Sequence, residues 1–293
     1  MSKIINNISN IEQFTKYRPF IKWPGSKYKL LNMILSKLPK GKLLIEPFVG
    51  SGAVFLNTNY EHYILSDINY DVINLYKSLQ QYGKEFITFC KQFFIIKNNS
   101  ADKYYKFREQ FNNMSKDTGK LEKRAALFMY LNRHGYNGLC RFNKNLKFNV
   151  PFGRYKTLNF PEEAMQLFYL KSQRAEFLVK DFQETLMLNL NNNQETVIYC
   201  DPPYVPLSNT ANFVGYWSGG FSLNNQQLLA ELAVKLSNNK IPVLISNHFS
   251  LLTKKIYKYA TELTTFKIRR MISCNPESRN YVTEVLALYL PKV

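Results

Sequence analysis

LLIEPFVGSGAVF, residues 43–55, is the stretch that decides the fold. An apolar run of strand length passes into Phe48-Val49-Gly50-Ser51-Gly52 and then into a helix start. Glycines at such a corner let a ligand approach the backbone closely, and the N-terminus of the helix beyond favours anionic groups. The next strand, HYILSD at 62–67, ends in Asp67, fifteen residues after Gly52. In nucleotide-binding α/β folds an acid at the tip of the second strand takes the ribose hydroxyls. The third glycine of the dinucleotide fingerprint is absent, so the spacing suits an adenosyl ligand with one ribose better than a dinucleotide. Two plainer readings stand beside this one: the glycines as a tight strand–helix turn, and Asp67 as the N-cap of the helix that follows.

Further apolar runs at 63–66, 197–200, 243–246 and 285–289 read as buried strands. Helical patterns lie between them. In 222–239, Leu228, Leu229, Leu232 and Leu236 share one face, Ser222 is a suitable N-cap, and Pro242 follows the end. The alternation predicts an α/β fold with a mostly parallel sheet. Residues 74–160 break it. They begin helical, with 122–134 the clearest case, and end in RFNKNLKFNVPFGRY (141–155), which reads as a β-hairpin turning at 143–145. The simplest architecture is one α/β domain, residues 1–73 and 161–293, interrupted by an inserted binding module at 74–160.

A second motif carries the chemistry. In VIYCDPPY, 197–204, a strand runs directly into Asp201-Pro202-Pro203-Tyr204. Open α/β sheets place their chemistry at such carboxyl strand ends. The prolines stiffen the loop and remove two N–H donors. The Asp201 carboxylate and the Pro202 carbonyl can then accept hydrogen bonds from one amino group, and Tyr204 offers a ring for a flat substrate. An exocyclic base amine is a poor nucleophile because its lone pair is delocalised into the ring. Two acceptors on its hydrogens enrich that nitrogen and hold it in line with an electrophilic methyl group.

Composition narrows the partner. The chain has 293 residues, 45% hydrophobic and 20% charged, which excludes wholesale disorder. Its net charge of +18 calls for a polyanion, either nucleic acid or an anionic membrane surface. Residues 103–156 hold thirteen Lys and Arg against three acids, interleaved with aromatics such as Tyr104, Tyr105, Phe107, Tyr130 and Phe148. Bases that neutralise phosphates beside rings that stack are what nucleic-acid binding requires; a basic face over an aromatic core is the plainer reading. No apolar run reaches the ~20 residues of a membrane span, and the start lacks a signal-peptide pattern. Four scattered cysteines without a CxxC read as reduced cytosolic thiols, and three scattered histidines make no metal constellation. A cytoplasmic protein with a polyanionic partner is expected.

With these residues in hand, the sequence resembles the Dam-type DNA adenine methyltransferases, S-adenosylmethionine-dependent enzymes that modify adenine N6 in GATC. The resemblance runs from about Phe20 to Tyr289 in the family order: FIKWPGSK (20–27), EPFVGSGAVFLN (46–57), ILSDIN (64–69), NRHGYNGLCRFN (132–143), FNVPFGRYK (148–156), YCDPPY (199–204), PLSNTANF (206–213), IPVLISNH (241–248) and EVLALY (284–289). It implies a Rossmann-like seven-stranded methyltransferase sheet with an inserted helical and β-hairpin target-recognition domain. It implies that Trp23, Lys27, Asp67 and Asp201 contact S-adenosyl-L-methionine. Phe48, Gly50 and Gly52 close round the methionine end, and S-adenosyl-L-homocysteine is the product, with no metal. Asp201, Pro202 and Tyr204 hold an adenine flipped out of double-stranded DNA, because the amino group is otherwise paired.

For sequence reading the resemblance implies Lys22 near the first guanine and Leu139, Arg141 and Pro151 on the rest of the half-site. Arg141 can donate two hydrogen bonds to a guanine edge. Tyr136 is the wedge into the gap left by the flipped base. Arg108, Arg133, Asn137, Arg154, Tyr155 and Lys156 match phosphate-contacting or positioning residues. The bland alternatives are that Leu139 and Pro151 pack the hairpin, that Arg133 pairs with Glu122 or Glu109, and that Trp23 is core.

The chain departs from the family pattern in three places. WPGSK stands where the family commonly has WAGGK, making that loop stiffer and bulkier. Residues 115–123 form a longer polar loop, and the basic stretch at 278–281 is thinner. A restriction nuclease is a further partner the resemblance allows. Competing classes are an adenine methyltransferase of another specificity, an RNA or cytosine-N4 enzyme, a non-catalytic DNA-binding regulator, and a membrane-surface protein.

Overall fold

The computed structural model describes residues 16–116, 119–157, 159–190, 195–205, 221–269 and 281–291. The stretch 206–213 and residues 278–280 singled out above, and Cys274 of the four cysteines, lie outside the described residues.

Seven strands form one sheet: β1 Leu43–Glu46, β2 His62–Asp67, β3 Ala175–Val179, β4 Thr196–Cys200, β5 Val243–His248, β6 Glu262–Arg269 and β7 Tyr281–Tyr289. Their order is β3-β2-β1-β4-β5-β7-β6. Pairings from β3 to β5 are parallel, and β7 runs antiparallel to both β5 and β6. The α/β expectation is met, and the apolar runs at β1, β2, β4, β5 and β7 are strands.

Two strands carry no apolar run. β3 and β6 are the sheet edges; β3 has one buried residue, Phe177, and β6 reads Glu-Leu-Thr-Thr-Phe-Lys-Ile-Arg. An edge strand is covered on fewer sides and needs no continuous apolar sequence. β1 and β4, in the middle, are buried at every residue.

The helices are α1 Leu31–Lys37, α2 Ala53–Asn57, α3 Tyr70–Lys91, α4 Ala101–Asn113, α5 Leu121–His134, α6 Glu162–Ser172, α7 Phe182–Leu188, α8 Leu223–Asn238 and α9 Leu251–Ile256. Alternate strand residues face opposite cores. Leu44, Val197, Tyr199 and Leu244 join one apolar cluster, which also takes in Tyr76 of α3, Phe111 of α4, Phe128 of α5 and Phe168 of α6. Leu43, Ile45, Ile198, Cys200 and Val243 join the other, capped by Phe182 of α7 and by Leu229, Leu232 and Leu236 of α8. Helix α8 starts as expected, the Ser222 hydroxyl accepting from the Asn225 N–H.

The segment between β2 and β3 shares an apolar cluster with the sheet, Tyr76, Phe111, Phe128 and Phe168 joining Leu44 and Val197. Arg124 of α5, buried, makes a two-pronged ion pair to Asp71 of α3 at 2.6 and 3.1 Å. Its Nη1 also donates to the Phe111 and Met114 carbonyls. The expected hairpin at 141–155 has no regular strands; it is a pair of loops held by single bridges, Phe142 to Phe148 and Gly135 to Phe152. Its turn is made by the Asn143 carboxamide, whose Oδ1 accepts from both the Asn145 and Lys147 N–H groups. Bonding local backbone to a side chain replaces the ladder there.

Candidate active site and recognition surface

The strand order reverses between β1 and β4, which are neighbours. Crevices beyond the carboxyl ends of strands form where the order reverses. The glycine loop leaves β1, and the Asp201–Tyr204 loop leaves β4. The topology thus puts side by side, at the carboxyl ends of the central strands, two motifs separated by some 150 residues of sequence.

Both oxygens of Asp67 are engaged by backbone: Oδ2 accepts from Gly50 N–H at 3.0 Å and Oδ1 from Asn69 N–H at 2.9 Å. Asp67 does not cap α3. Asn69 does, its Oδ1 accepting from the Asp71 and Val72 N–H groups. That removes the helix-cap reading of Asp67. Burial pushes the Asp67 carboxyl up to about 6, against the two backbone donors that lower it.

Gly50 and Gly52 both take left-handed backbone angles, φ +47° and +69°. A Cβ on Gly50 would sit 2.8 Å from the Trp23 indole nitrogen. Trp23 is half-buried over this bare turn. Two contacts fasten the turn: the Tyr76 hydroxyl donates to Gly50 O at 2.6 Å, and Ser26 and Ser51 share a hydroxyl–hydroxyl bond of 2.9 Å. The serine at position 26, one of the departures noted above, therefore ties the 23–27 loop to the glycine loop. Phe48 is stacked on Phe182 at 5.5 Å and edge-on to Phe221.

Lys27 connects this loop to Asp201. Its buried ammonium lies 2.7 Å from Asp201 Oδ1, donates to Gly25 O at 2.6 Å, and stands 4.5 Å from the centre of the Tyr204 ring. Asp201 Oδ1 also accepts from Ser246 Oγ at 3.1 Å. Burial raises the Asp201 carboxyl, while Lys27 and the Ser246 bond lower it. Pro202 is buried and Tyr204 half-buried, its hydroxyl donating to Glu284 of β7 at 3.0 Å. The Tyr204 ring meets His248 edge-on at 4.6 Å.

Three residues that no sequence argument assigned a role hold this loop. Asn247, buried at the end of β5, accepts from Val205 N–H and donates to Gln226 and Tyr257. Gln226 of α8 donates to the Pro203 carbonyl at 2.7 Å. Glu284 is the third. The signal for Asn247 was present: a polar Ser-Asn pair ends an otherwise apolar strand. Gln226 and Glu284 gave none, because each is one polar residue in an amphipathic element.

Glu46, at the end of β1, is buried with Oε1 unpaired among the described residues. Burial, then the Asp201 charge, pushes it up to about 8, so it is a neutral acid near pH 7. Cys90, Cys140 and Cys200 are unpaired and buried. Among the described residues no group of His, Cys, Asp and Glu could hold a metal. No helix among them is long and apolar enough to cross a membrane.

Ten of the eleven residues expected to meet DNA lie in the α4–α6 segment, and Lys22 joins them from outside it. Its ammonium lies 3.9 Å from the centre of the Tyr155 ring. The 135–155 loops are stitched together: Tyr136 N–H donates to Pro151 O, Asn149 N–H to Arg141 O, and Gly153 N–H to His134 O. Tyr136, Asn137, Arg141, Pro151, Arg154 and Lys156 are exposed, whereas Leu139 is half-buried and packs on the core. Asn137 and Arg154 hold positive φ, +52° and +54°, and such strain persists only where the surroundings enforce it. Arg141 is steadied by Asn149, Nε donating to its Oδ1 at 2.9 Å. Arg108 donates to Val150 O and lies over the Tyr105 ring. Arg133 does not pair with Glu122 or Glu109; it donates to the carbonyls of Phe20 and Asn159.

The comparisons with known proteins agree with this geometry. The family model for D12 class N6 adenine-specific DNA methyltransferases matches residues 23–272. The chain is 48% identical over 278 residues to the DNA adenine methylase of Salmonella typhi, covering 95% of this chain and 97% of that protein. Identity and coverage are the same for the DNA adenine methylase of Escherichia coli K12. The Vibrio cholerae protein of that name is 46% identical over 277 residues, 94% of this chain and 97% of its own. A matching seven-stranded sheet, the Asp-Pro-Pro-Tyr loop at its switch point and near-full-length likeness converge: the chain belongs to the D12 class of N6 adenine-specific DNA methyltransferases.

Proposed function

We propose that this enzyme transfers a methyl group from S-adenosyl-L-methionine to the N6 of an adenine flipped out of duplex GATC. The observation that carries the reading is the Lys27–Asp201 pair, which couples the glycine loop to the Asp-Pro-Pro-Tyr loop across the sheet switch point. The residues present fit an adenosyl cofactor: a bare turn under Trp23 at Gly50 and Gly52, and a half-buried acid, Asp67, beside it. Trp23, Lys27, Phe48, Gly50, Gly52, Asp67 and Asp201 would hold it. When bound, that cofactor supplies an electrophilic methyl group.

The chain's own contribution is positioning and charge. Asp201 and the Pro202 carbonyl accept the two amino hydrogens, directing the nitrogen lone pair out of conjugation. Tyr204, fixed by Glu284 and His248, gives the base a wall. Lys27 and Ser246 counter the burial that raises the Asp201 carboxyl and so favour its accepting, ionised form. Removal of the base from the stack is necessary because its amino group is paired in the duplex.

Specificity is proposed to rest on the 74–160 segment together with Lys22. Lys22 reads the first guanine. Arg141 reads the guanine opposite the last cytosine, Leu139 and Pro151 meet thymine methyls, and Tyr136 fills the gap. Arg108, Arg133, Asn137, Arg154, Tyr155 and Lys156 position the backbone. A restriction nuclease as partner would follow from a neighbouring nuclease gene. The test is transfer of labelled methyl to two matched duplexes, one GATC and one with its guanine replaced. Label in the first alone is expected. Equal label in both would discard the base-reading roles, and label in neither would discard the target.

A further inference from the structure

Lys22 lies outside the segment that carries the other base-reading residues, yet its place is set by that segment. The Asn132 side chain, fully buried in α5, bonds both backbone groups of Lys22: Oδ1 accepts the Lys22 N–H at 2.9 Å, and Nδ2 donates to the Lys22 carbonyl at 2.6 Å. One planar amide thus does for residue 22 what a strand neighbour does in a sheet, where the chain has no strand. On the other flank Gly138 leaves the space that Lys22 fills; a Cβ there would come within 2.2 Å of Lys22 Cβ. Asn132 sits in the last turn of α5, which runs straight into Tyr136–Arg141.

From this we infer that Asn132 is a positioning residue for sequence reading: it registers Lys22 against the recognition loop, so that Lys22 and Arg141 address the two ends of one GATC site as a rigid set. The inference rests on the proposed role of Lys22 at the first guanine. A lysine ammonium sits at the end of four methylenes, so a small rotation of its backbone displaces it by more than a hydrogen bond tolerates. Two bonds on the Lys22 peptide groups suppress that rotation. Burial makes them strong and their loss selective, since the amide has no solvent to replace its partners.

The experiment uses the full chain and hemimethylated duplexes that offer a single acceptor adenine. One carries GATC, one has the first base pair replaced, and one the last. Asn132→Ala is expected to reduce discrimination in kcat/KM at the first pair by about 10-fold and to leave discrimination at the last pair unchanged. Lys22→Ala should give the same pattern, and the double variant should lose no more than either single one. Asn132→Asp keeps the acceptor for the Lys22 N–H and gives up the donor. Its second oxygen then faces the Lys22 carbonyl, so it should lose first-pair discrimination at least as far as Asn132→Ala; Asn132→Gln, which keeps both amide groups, should fall between wild type and Asn132→Ala and answers the question if the alanine variant does not fold. An equal loss on all three duplexes, or intact first-pair discrimination in the Asn132 variants while Lys22→Ala loses it, overturns the inference. Intact first-pair discrimination in Lys22→Ala overturns the reading of Lys22, and the role of Asn132 with it.

Discussion

Asp201 has two duties that substitution can separate. It is proposed to accept an amino hydrogen of the base, and it neutralises Lys27, whose side chain is only 7% exposed. Removing one partner of a buried pair leaves an uncompensated charge, a loss of about 3–5 kcal/mol. Asp201→Asn should therefore melt earlier and lose about 100-fold or more in methyl transfer. Adding Lys27→Met should restore the melting temperature and leave transfer lost. Recovery of transfer in the double variant would remove Asp201 from the chemistry. Gly50 offers a second test. At φ +47° with Trp23 against it, Gly50→Ala must shift the indole or the turn. Weaker S-adenosylmethionine binding by calorimetry, about 10-fold or more at 1.4 kcal/mol per decade, is expected, with DNA binding in the absence of cofactor retained.

Among the elements, those with strong periodicity or continuous apolar runs were legible and those at the rim were not. β1, β4 and β5 announce themselves because burial on both faces demands mostly apolar runs. β3 and β6 do not, because an edge strand needs only one covered face. The 141–155 loops looked like a hairpin because their residues alternate. They lack a regular ladder because the Asn143 and Asn112 side chains take backbone groups that strands would pair. Those loops are also where the exposed basic residues gather. Lys156→Ala should weaken binding to every duplex alike and reduce the slope of log K against log salt by about 1. An unchanged slope measured by fluorescence anisotropy would take Lys156 off the phosphates.

On the scale of the whole molecule, pH reaches the site through the end of β1. Glu46 rises from 4.5 to about 8 on folding, chiefly by burial. Between those values the folded chain holds a proton that the unfolded chain has released, so stability falls as pH rises through that window. Glu46→Gln should match the wild type near pH 4.5 and melt higher at pH 8. Parallel melting curves across pH would show that Glu46 does not titrate in this way. His134, lowered to about 4 by burial between Tyr130 and Phe94, slopes the other way, its contribution lost as pH falls from 6.5 through 4.

The glycine corner, the acid at the tip of the second strand and the Asp-Pro-Pro-Tyr loop were fixed by local sequence alone. Each is a short run whose backbone and side-chain chemistry is set by neighbours within a few residues. So was the basic, aromatic character of 103–156. The tertiary structure alone decided that Lys27 pairs with Asp201, that Ser26 bonds Ser51, that Asn69 rather than Asp67 caps α3, and that Glu284, Gln226 and Asn247 brace the loop. It alone decided that Asn132 holds Lys22. Apart from the Asn69 cap, these contacts join residues separated by tens to more than a hundred positions. Their partners are chosen by which strand ends and helix turns the sheet order brings together, and a single polar residue in an amphipathic element carries no mark of the partner it will meet.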